Sequence, residues 1–228
     1  MAQELEKSLI ALIKQDIEKK MIASRVILDG LYDFAEEIAR EIDVNEYSNY
    51  SCEKGCYYCC NVSVSLFAYE LFNIINYIKL NNIDVSADIV DACELFDTKS
   101  SQEWGKNARY CPFLHKEQKY CIIHPVRPGT CRAILSRKRD LCINAHNSRG
   151  GDGQSVVCIS RAQDDAYQHI QLVLASAEAS CNLQSGGIEL VSAARIALSD
   201  EASFEKWLAG ENIFAPCRVS VAPREVRV

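Results

Sequence analysis

The sequence predicts a mainly α fold, a helical body that holds an irregular cysteine-rich insert. Three observations predict it. Apolar residues recur at three- and four-residue steps in several separate segments. No strand–helix alternation points to a parallel sheet. Five cysteines, three of the five prolines and half of the ten glycines fall between residues 105 and 160, where the helical spacing lapses.

Residues 2–42 read as helix, because Leu5, Leu9, Leu12, Ile13 and Ile17 share one stripe and Phe34, Ile38 and Ile42 continue it. The stripe is expected to face the core. Asp29-Gly30 is expected to divide the segment in two, since glycine weakens a helix interior. Residues 43–64 change character, with Asn45, Ser48, Asn49 and Ser51 marking a loop. A second helix is expected over 65–81, capped by Ser65, with Leu66, Tyr69, Phe72, Ile75 and Ile78 on its buried side. A third spans 84–104 and carries Ile89, Cys93 and Phe96. Within 105–160 the regular structure expected is two short strands, at 120–123 and 156–159. The run N-S-R-G-G-D-G-Q-S at 147–155 reads as a turn, and its spacing fits no phosphate-binding motif. Helical periodicity returns at 161–179 and 188–208, and the tail from Ala215 is irregular. No internal repeat is present. The expected organisation is a single domain over 1–228, with an N-terminal helical segment (1–44), a cysteine-cluster core (50–135) and C-terminal helices (160–210).

Composition narrows the function. The chain has 228 residues, is 48% hydrophobic and carries a formal net charge of −6, with a pI near 5.3. That charge argues against a mainly electrostatic nucleic-acid or anionic-membrane binder. No segment reaches the roughly 18 consecutive apolar residues of a membrane helix. The N-terminus has acids where a signal peptide has bases, which leads to the expectation of a cytoplasmic protein. In a reducing compartment thiols serve as metal ligands or catalytic groups more often than as disulfides.

The twelve cysteines are not evenly spread. Four lie in Cys52-Glu-Lys-Gly-Cys56-Tyr-Tyr-Cys59-Cys60. Three more anchor Cys111-Pro-Phe-Leu and Cys121-Ile-Ile-His-Pro-Val-Arg-Pro-Gly-Thr-Cys131-Arg132. Thiols two or three residues apart can turn toward one centre with little chain strain, and Gly55 permits a tight turn among them. Adjacent side chains diverge in helices and strands, so Cys59 and Cys60 are expected to do different work. Cys52, Cys56, Cys59, Cys60, Cys111, Cys121 and Cys131 are therefore the expected metal ligands. Seven thiols suit one closed four-ligand site with a three-ligand open one, or one closed site with spare thiols. His124 is a further candidate ligand. Thiolates are soft donors, which favours zinc, iron–sulfur or copper(I) over magnesium or calcium. Cys93 and Cys181 sit alone in helical stretches and are expected to pack as small apolar residues. Arg127 and Arg132 lie inside the chelating segment, where guanidinium groups offset the negative charge of clustered thiolates. Arg137, Lys138 and Arg139 are expected to form a solvated basic face.

These motifs resemble the YkgJ-like cysteine-cluster family, whose pattern is C-x-x-C-x-x-C-C, then C-P-F-L, then C-x-I-Y-x-x-R-P-x-x-C-R. Cys56, Cys59 and Cys60 match the end of the first group. Cys111, Pro112, Phe113 and Leu114 match the second. Cys121, Ile123, Arg127, Pro128, Cys131 and Arg132 match the third. Two positions depart from the pattern: Cys52 is one residue further from Cys56, and His124 replaces the tyrosine. The resemblance covers about residues 50–135 and implies zinc or iron chelation. The same domain occurs in flagellin lysine methylases, which implies a [4Fe–4S] cluster, S-adenosylmethionine and a protein substrate, with Arg127 and Arg132 as candidate cofactor-binding residues. Cys52-x-x-x-Cys56-x-Tyr58-Cys59 also has the spacing of the radical S-adenosylmethionine motif, which leaves one iron open. Three readings follow: a metal-binding protein, an S-adenosylmethionine-dependent methyltransferase, and a zinc-stabilised interaction module.

Overall fold

The computed structural model describes residues 2–20, 25–43, 50–53, 55–60, 62–97, 111–147 and 159–219. Among them are nine α-helices and one two-stranded antiparallel sheet, the mainly α architecture that the apolar spacing predicts.

The first two helices are α1 (Ala2–Glu18) and α2 (Val26–Ile42). The break between them does not fall at Asp29-Gly30, which lies inside α2. Instead the chain takes left-handed backbone at Lys20 (φ 56°) and Arg25 (φ 60°), which no helix can pass through. The apolar stripe also divides differently from expectation. Ile13 and Ile17 are buried but Leu5 and Leu12 are exposed. In α2 the buried face is Leu28, Leu31, Tyr32, Ala35 and Ala39, whereas Phe34 and Ile42 reach solvent.

Ser65 caps no helix. It sits in β1 (Ser65–Leu66), which pairs antiparallel with β2 (Ile188–Glu189) in the register Ser65↔Glu189 and Leu66↔Ile188. The following helix, α3 (Ala68–Leu80), is capped through Phe67, whose N–H donates to Glu70 Oε2 at 3.0 Å. Leu66, Tyr69, Phe72, Ile75 and Ile78 are all buried, as their spacing requires. Next, α4 (Ser86–Asp97) buries Ile89 and Cys93; residues 98–104 and the Phe96 side chain lie outside the described residues.

The insert holds more helix than its composition suggests. A 3₁₀ turn (His124–Val126) leads into α5 (Gly129–Ala133), and α6 (Arg139–Asn147) follows. Where a strand is expected at 120–123, a single bridge pairs Cys121 with Leu114; Ile159 bridges Ser136. Residues 148–158, which carry most of the glycine-rich turn and of the second expected strand, lie outside the described residues. The C-terminal helices are α7 (Arg161–Ser180), α8 (Leu190–Ser199) and α9 (Ser203–Leu208). The helix expected over 188–208 thus begins as β2 and is interrupted at Asp200, whose carboxylate accepts from Ala202 N at 3.0 Å and from Lys206 Nζ at 2.7 Å.

Helix α7 is the spine: α1, α2 and α5 pack on it, while α3, α4 and α9 pack on α8. Trp207 is fully buried among Phe72 and Phe204, and Phe72 also meets Phe214. No helix among the described residues is long and apolar enough to cross a membrane.

Buried carboxyls tie the insert to this body. Glu70 accepts from Tyr32 Oη, Phe67 N and Gly129 N, so one side chain joins α2, α3 and α5. A Cβ on Gly129 would lie 3.2 Å from the Tyr167 ring and 3.4 Å from Glu70 Oε1, so this position needs glycine for close approach. Glu178 accepts from Tyr69 N at 2.9 Å, and its Oε2 is buried without a hydrogen-bond partner among the described residues. Burial pushes its pKa up to about 8, from an ordinary 4.5. The native state therefore holds a proton that the unfolded chain releases. The stability from this group is complete below about pH 4.5 and is lost as pH rises through about 8. Glu178→Gln should remove a slope of up to about 1.4 kcal/mol per pH unit in that window. Urea unfolding across the window checks it; identical slopes for the variant and the parent would contradict it.

Candidate metal centre

The first cysteine segment is a series of turns. Gly55 takes φ +90°, Cys56 N donates to Glu53 O at 3.0 Å, and Cys60 N donates to Tyr57 O at 2.9 Å. The second segment is joined to it directly, since Cys111 N donates to Cys60 O at 2.6 Å. The chain then doubles back, with Ile122 N on Phe113 O at 2.8 Å, and fully buried Phe113 anchors the loop. Thr130 Oγ1 donates to Ser65 O, and Gln163 Nε2 donates to Arg132 O, which fixes α5 against β1 and α7.

One local device recurs. The backbone amide two residues ahead favours the thiolate of Cys56 (from Tyr58), Cys111 (from Phe113) and Cys121 (from Ile123). Ser136 N donates to Cys52 Sγ at 3.2 Å. Backbone N–H groups aimed at sulfur favour the thiolate over the thiol.

The thiols fall into two electrostatic neighbourhoods. Cys52 feels Cys56, and both feel Cys142 on α6. Cys59, Cys111 and Cys121 all act on Cys131, which burial pushes well above the ordinary thiol range. Burial pushes Cys111 up to about 12. Arg127 opposes the upward shifts at Cys121 and Cys131 and adds to the downward shift of Cys59, and its Nε is buried without a hydrogen-bond partner among the described residues. Cys59 also lies within reach of Cys52 and Cys56, so it stands between the groups.

Cys59 and Cys60 differ in their electrostatic surroundings. Cys60 lowers the pKa of Cys59, whereas Cys59 and burial raise that of Cys60. The two residues lie in a turn rather than a helix or strand, so the regular divergence of successive side chains does not apply.

The two arginines of the chelating segment part company. Arg127 faces thiols. Arg132 instead pairs with Glu36 at 3.5 Å, lies over the Tyr32 ring at 4.5 Å and donates to the carbonyls of Arg127 and Pro125, each at 3.2 Å. The expected solvated basic face is also partly absent. Arg137 pairs with half-buried Asp43 at 3.3 Å, and Arg139 pairs with Glu53 and lies over Tyr58. His124 is exposed at the start of the 3₁₀ turn. Cys93 and Cys217 are buried in the helical body, Cys181 ends α7, and Cys158 lies outside the described residues.

The residue that motif reasoning left without a role is Cys142. Its available signal was position: it lies one helical turn before His146, a spacing that places two side chains on one face.

Among the described residues, no three His, Cys, Asp or Glu side chains already stand in metal-holding geometry. Thiolate–zinc bonds are about 2.3 Å long, so ligation requires the gathered side chains to close in. The donor set nevertheless suits a soft metal. Most of its cysteines are half-buried, backbone amides favour the thiolate at four of them, and a buried guanidinium nitrogen of Arg127 without a hydrogen-bond partner among the described residues belongs to a side chain that acts on three.

Residues 51–149 match the CxxCxxCC family model, described as a "putative zinc- or iron-chelating domain". This is the cysteine-cluster family that the motifs resemble. The match spans 99 of the 228 residues. The matched segment extends past residue 135, where the motifs end, and takes in most of α6 with Cys142 and His146. No curated protein and no solved structure matches the chain.

Proposed function

We propose that the chain holds zinc or iron–sulfur through thiolates in two adjoining centres, one of four thiolates and one of three. The observation that carries this is the gathering of eight thiols from the 52–60 turns, the 111–131 loop and α6. Cys59, Cys111, Cys121 and Cys131 form the four-thiolate set, because Arg127 lowers three of them and the fourth, Cys111, is their neighbour. Cys60, which burial and Cys59 both push up, is left outside the set. Cys52, Cys56 and Cys142 form the three-thiolate set. Buried thiols crowded together resist ionisation, whereas a bound dication deprotonates its thiol ligands outright. Arg127 then offsets the excess negative charge. A reducing compartment, such as the cytoplasm, keeps such thiols available.

The test is anaerobic purification followed by metal analysis and absorption spectroscopy. We expect stoichiometric zinc in a colourless protein, or iron and sulfide in a brown one. A folded, metal-free protein that takes up neither metal would overturn the proposal.

A second reading has one observation in its favour. An open groove of 640 Å³ between α2 and α7, floored by Phe34, Ile38 and Ile170, ends at Asp43 and Arg137. Arg137 follows Ser136, the residue whose amide holds Cys52 sulfur. In this reading the three-thiolate centre is part of a [4Fe–4S] cluster with an open iron for S-adenosylmethionine, and the activity is methyl transfer to a protein lysine. Adding S-adenosylmethionine to the reduced protein should then change its electron paramagnetic resonance and release heat. An unchanged signal with no heat eliminates the methyltransferase.

A further inference from the structure

The three-thiolate centre is one ligand short of a closed tetrahedral site. A candidate fourth lies on the helix that carries Cys142. Cys142 and His146 lie four residues apart on α6, so both side chains point to one face of the helix. His146 is buried, with 8% of its surface exposed. Its Nδ1 lies 3.3 Å from Tyr58 O. A carbonyl only accepts, so Nδ1 carries the proton and the neutral ring keeps its lone pair on Nε2. An Nδ1–H held by a backbone carbonyl is the usual way to orient an imidazole that ligates through Nε2.

The surroundings hold the ring in that pose. Tyr57 and Tyr58 meet the imidazole edge-on, at 5.9 and 5.5 Å between centroids. Those tyrosines fill the loop between Cys56 and Cys59, so the bond from His146 to Tyr58 pins α6 to the loop that carries Cys56. Further links bind the same pieces. Ser51 Oγ donates to Arg137 O at 2.7 Å, and Arg139, at the start of α6, pairs with Glu53. The segment carrying Cys52 and Cys56 and the helix carrying Cys142 and His146 are thus held together by contacts that involve none of the thiols.

Resting on the two-centre reading above, we infer that His146 Nε2 is the fourth ligand of the Cys52–Cys56–Cys142 centre, which takes a zinc-class dication. Binding releases three thiol protons to solvent and none from the imidazole, which coordinates neutral. Three thiolates around a dication leave one net negative charge, and the Arg139 guanidinium is the cation beside Cys56. A closed site of this kind leaves no position for S-adenosylmethionine, so the inference opposes the methyltransferase reading.

The test uses the full chain, ¹⁵N-labelled at histidine and loaded with zinc. In a two-bond ¹H–¹⁵N correlation spectrum, His146 should show one tautomer, protonated at Nδ1, with its Nε2 resonance shifted by zinc. The Cys142→Ser protein should lose that shift. His146→Gln keeps a donor for Tyr58 O but supplies a poor ligand, and should weaken one of the two zinc equivalents by about 100-fold or more. Two zinc equivalents with an unshifted His146 would overturn the inference and leave the two-centre reading standing. A folded chain that takes up no zinc and no iron would overturn both.

Discussion

Cys131→Ser and Cys56→Ser should each strip one centre of its metal. Cys131 is half-buried and feels Cys59, Cys111, Cys121 and Arg127, so its loss leaves three thiolates around a site that needs four. A structural zinc site contributes on the order of 10 kcal/mol to the folding of small modules. The helical body here has its own core, so the loss falls on the insert and on its contacts with α7. We expect the metal content to fall to the remaining centre in each variant. For Cys131→Ser the melting temperature should also drop by about 10 °C or more. Cys181→Ser, at the end of α7 and outside both groups, should keep all of its metal. Metal analysis with thermal unfolding reads both results. Full metal in both Cys131→Ser and Cys56→Ser would show that the ligand assignment is wrong.

Trp207→Ala should cost stability without touching the metal. The indole is fully buried, 5.2 Å between centroids from Phe72 and 6.2 Å from Phe204. Replacing a buried aromatic of this size by alanine costs about 3–5 kcal/mol, because the cavity collapses only in part. For a chain of this length that corresponds to a fall of roughly 10 °C in melting temperature. Denaturant midpoints give the free energy, and metal analysis at low temperature gives the control. A loss of metal from the still-folded variant would mean that the body and the centres are not separable as described.

Much of the body was legible in the sequence, because periodic burial is a local signal. The spacing of Tyr69, Phe72, Ile75 and Ile78 marks residues that α3 does bury. The end of that helix was misplaced for a tertiary reason: Ser65 is drawn into a two-residue strand by β2, more than a hundred residues away. The interruption between α1 and α2 was misread because it depends on left-handed backbone at Lys20 and Arg25, residue types that carry no turn signal, while Gly30 proved an ordinary helix residue. The exposure of Phe34 and Ile42 was illegible for a similar reason, since periodicity marks an apolar stripe without saying how much of it a neighbour covers.

At the candidate site the cysteines were legible as ligands because four thiols in nine residues have no ordinary packing explanation. The roles of the flanking residues were not. Arg127 and Arg132 look equivalent in the sequence, yet one faces sulfur and the other reaches Glu36 and Tyr32 on α2. Cys142 was missed because it stands alone in its helix, and only the fold brings α6 beside the 52–60 turns.

X-ray absorption fine structure at the edge of the bound metal tests the central claim most directly, since it reads the ligand atoms themselves. The account predicts a first shell dominated by sulfur near 2.3 Å, with a minor nitrogen contribution near 2.0–2.1 Å, at about two zinc ions per chain. For an iron–sulfur protein the prediction is sulfur with an additional iron scatterer. A first shell of oxygen and nitrogen alone would contradict the account, because the metal would then not be held by these cysteines.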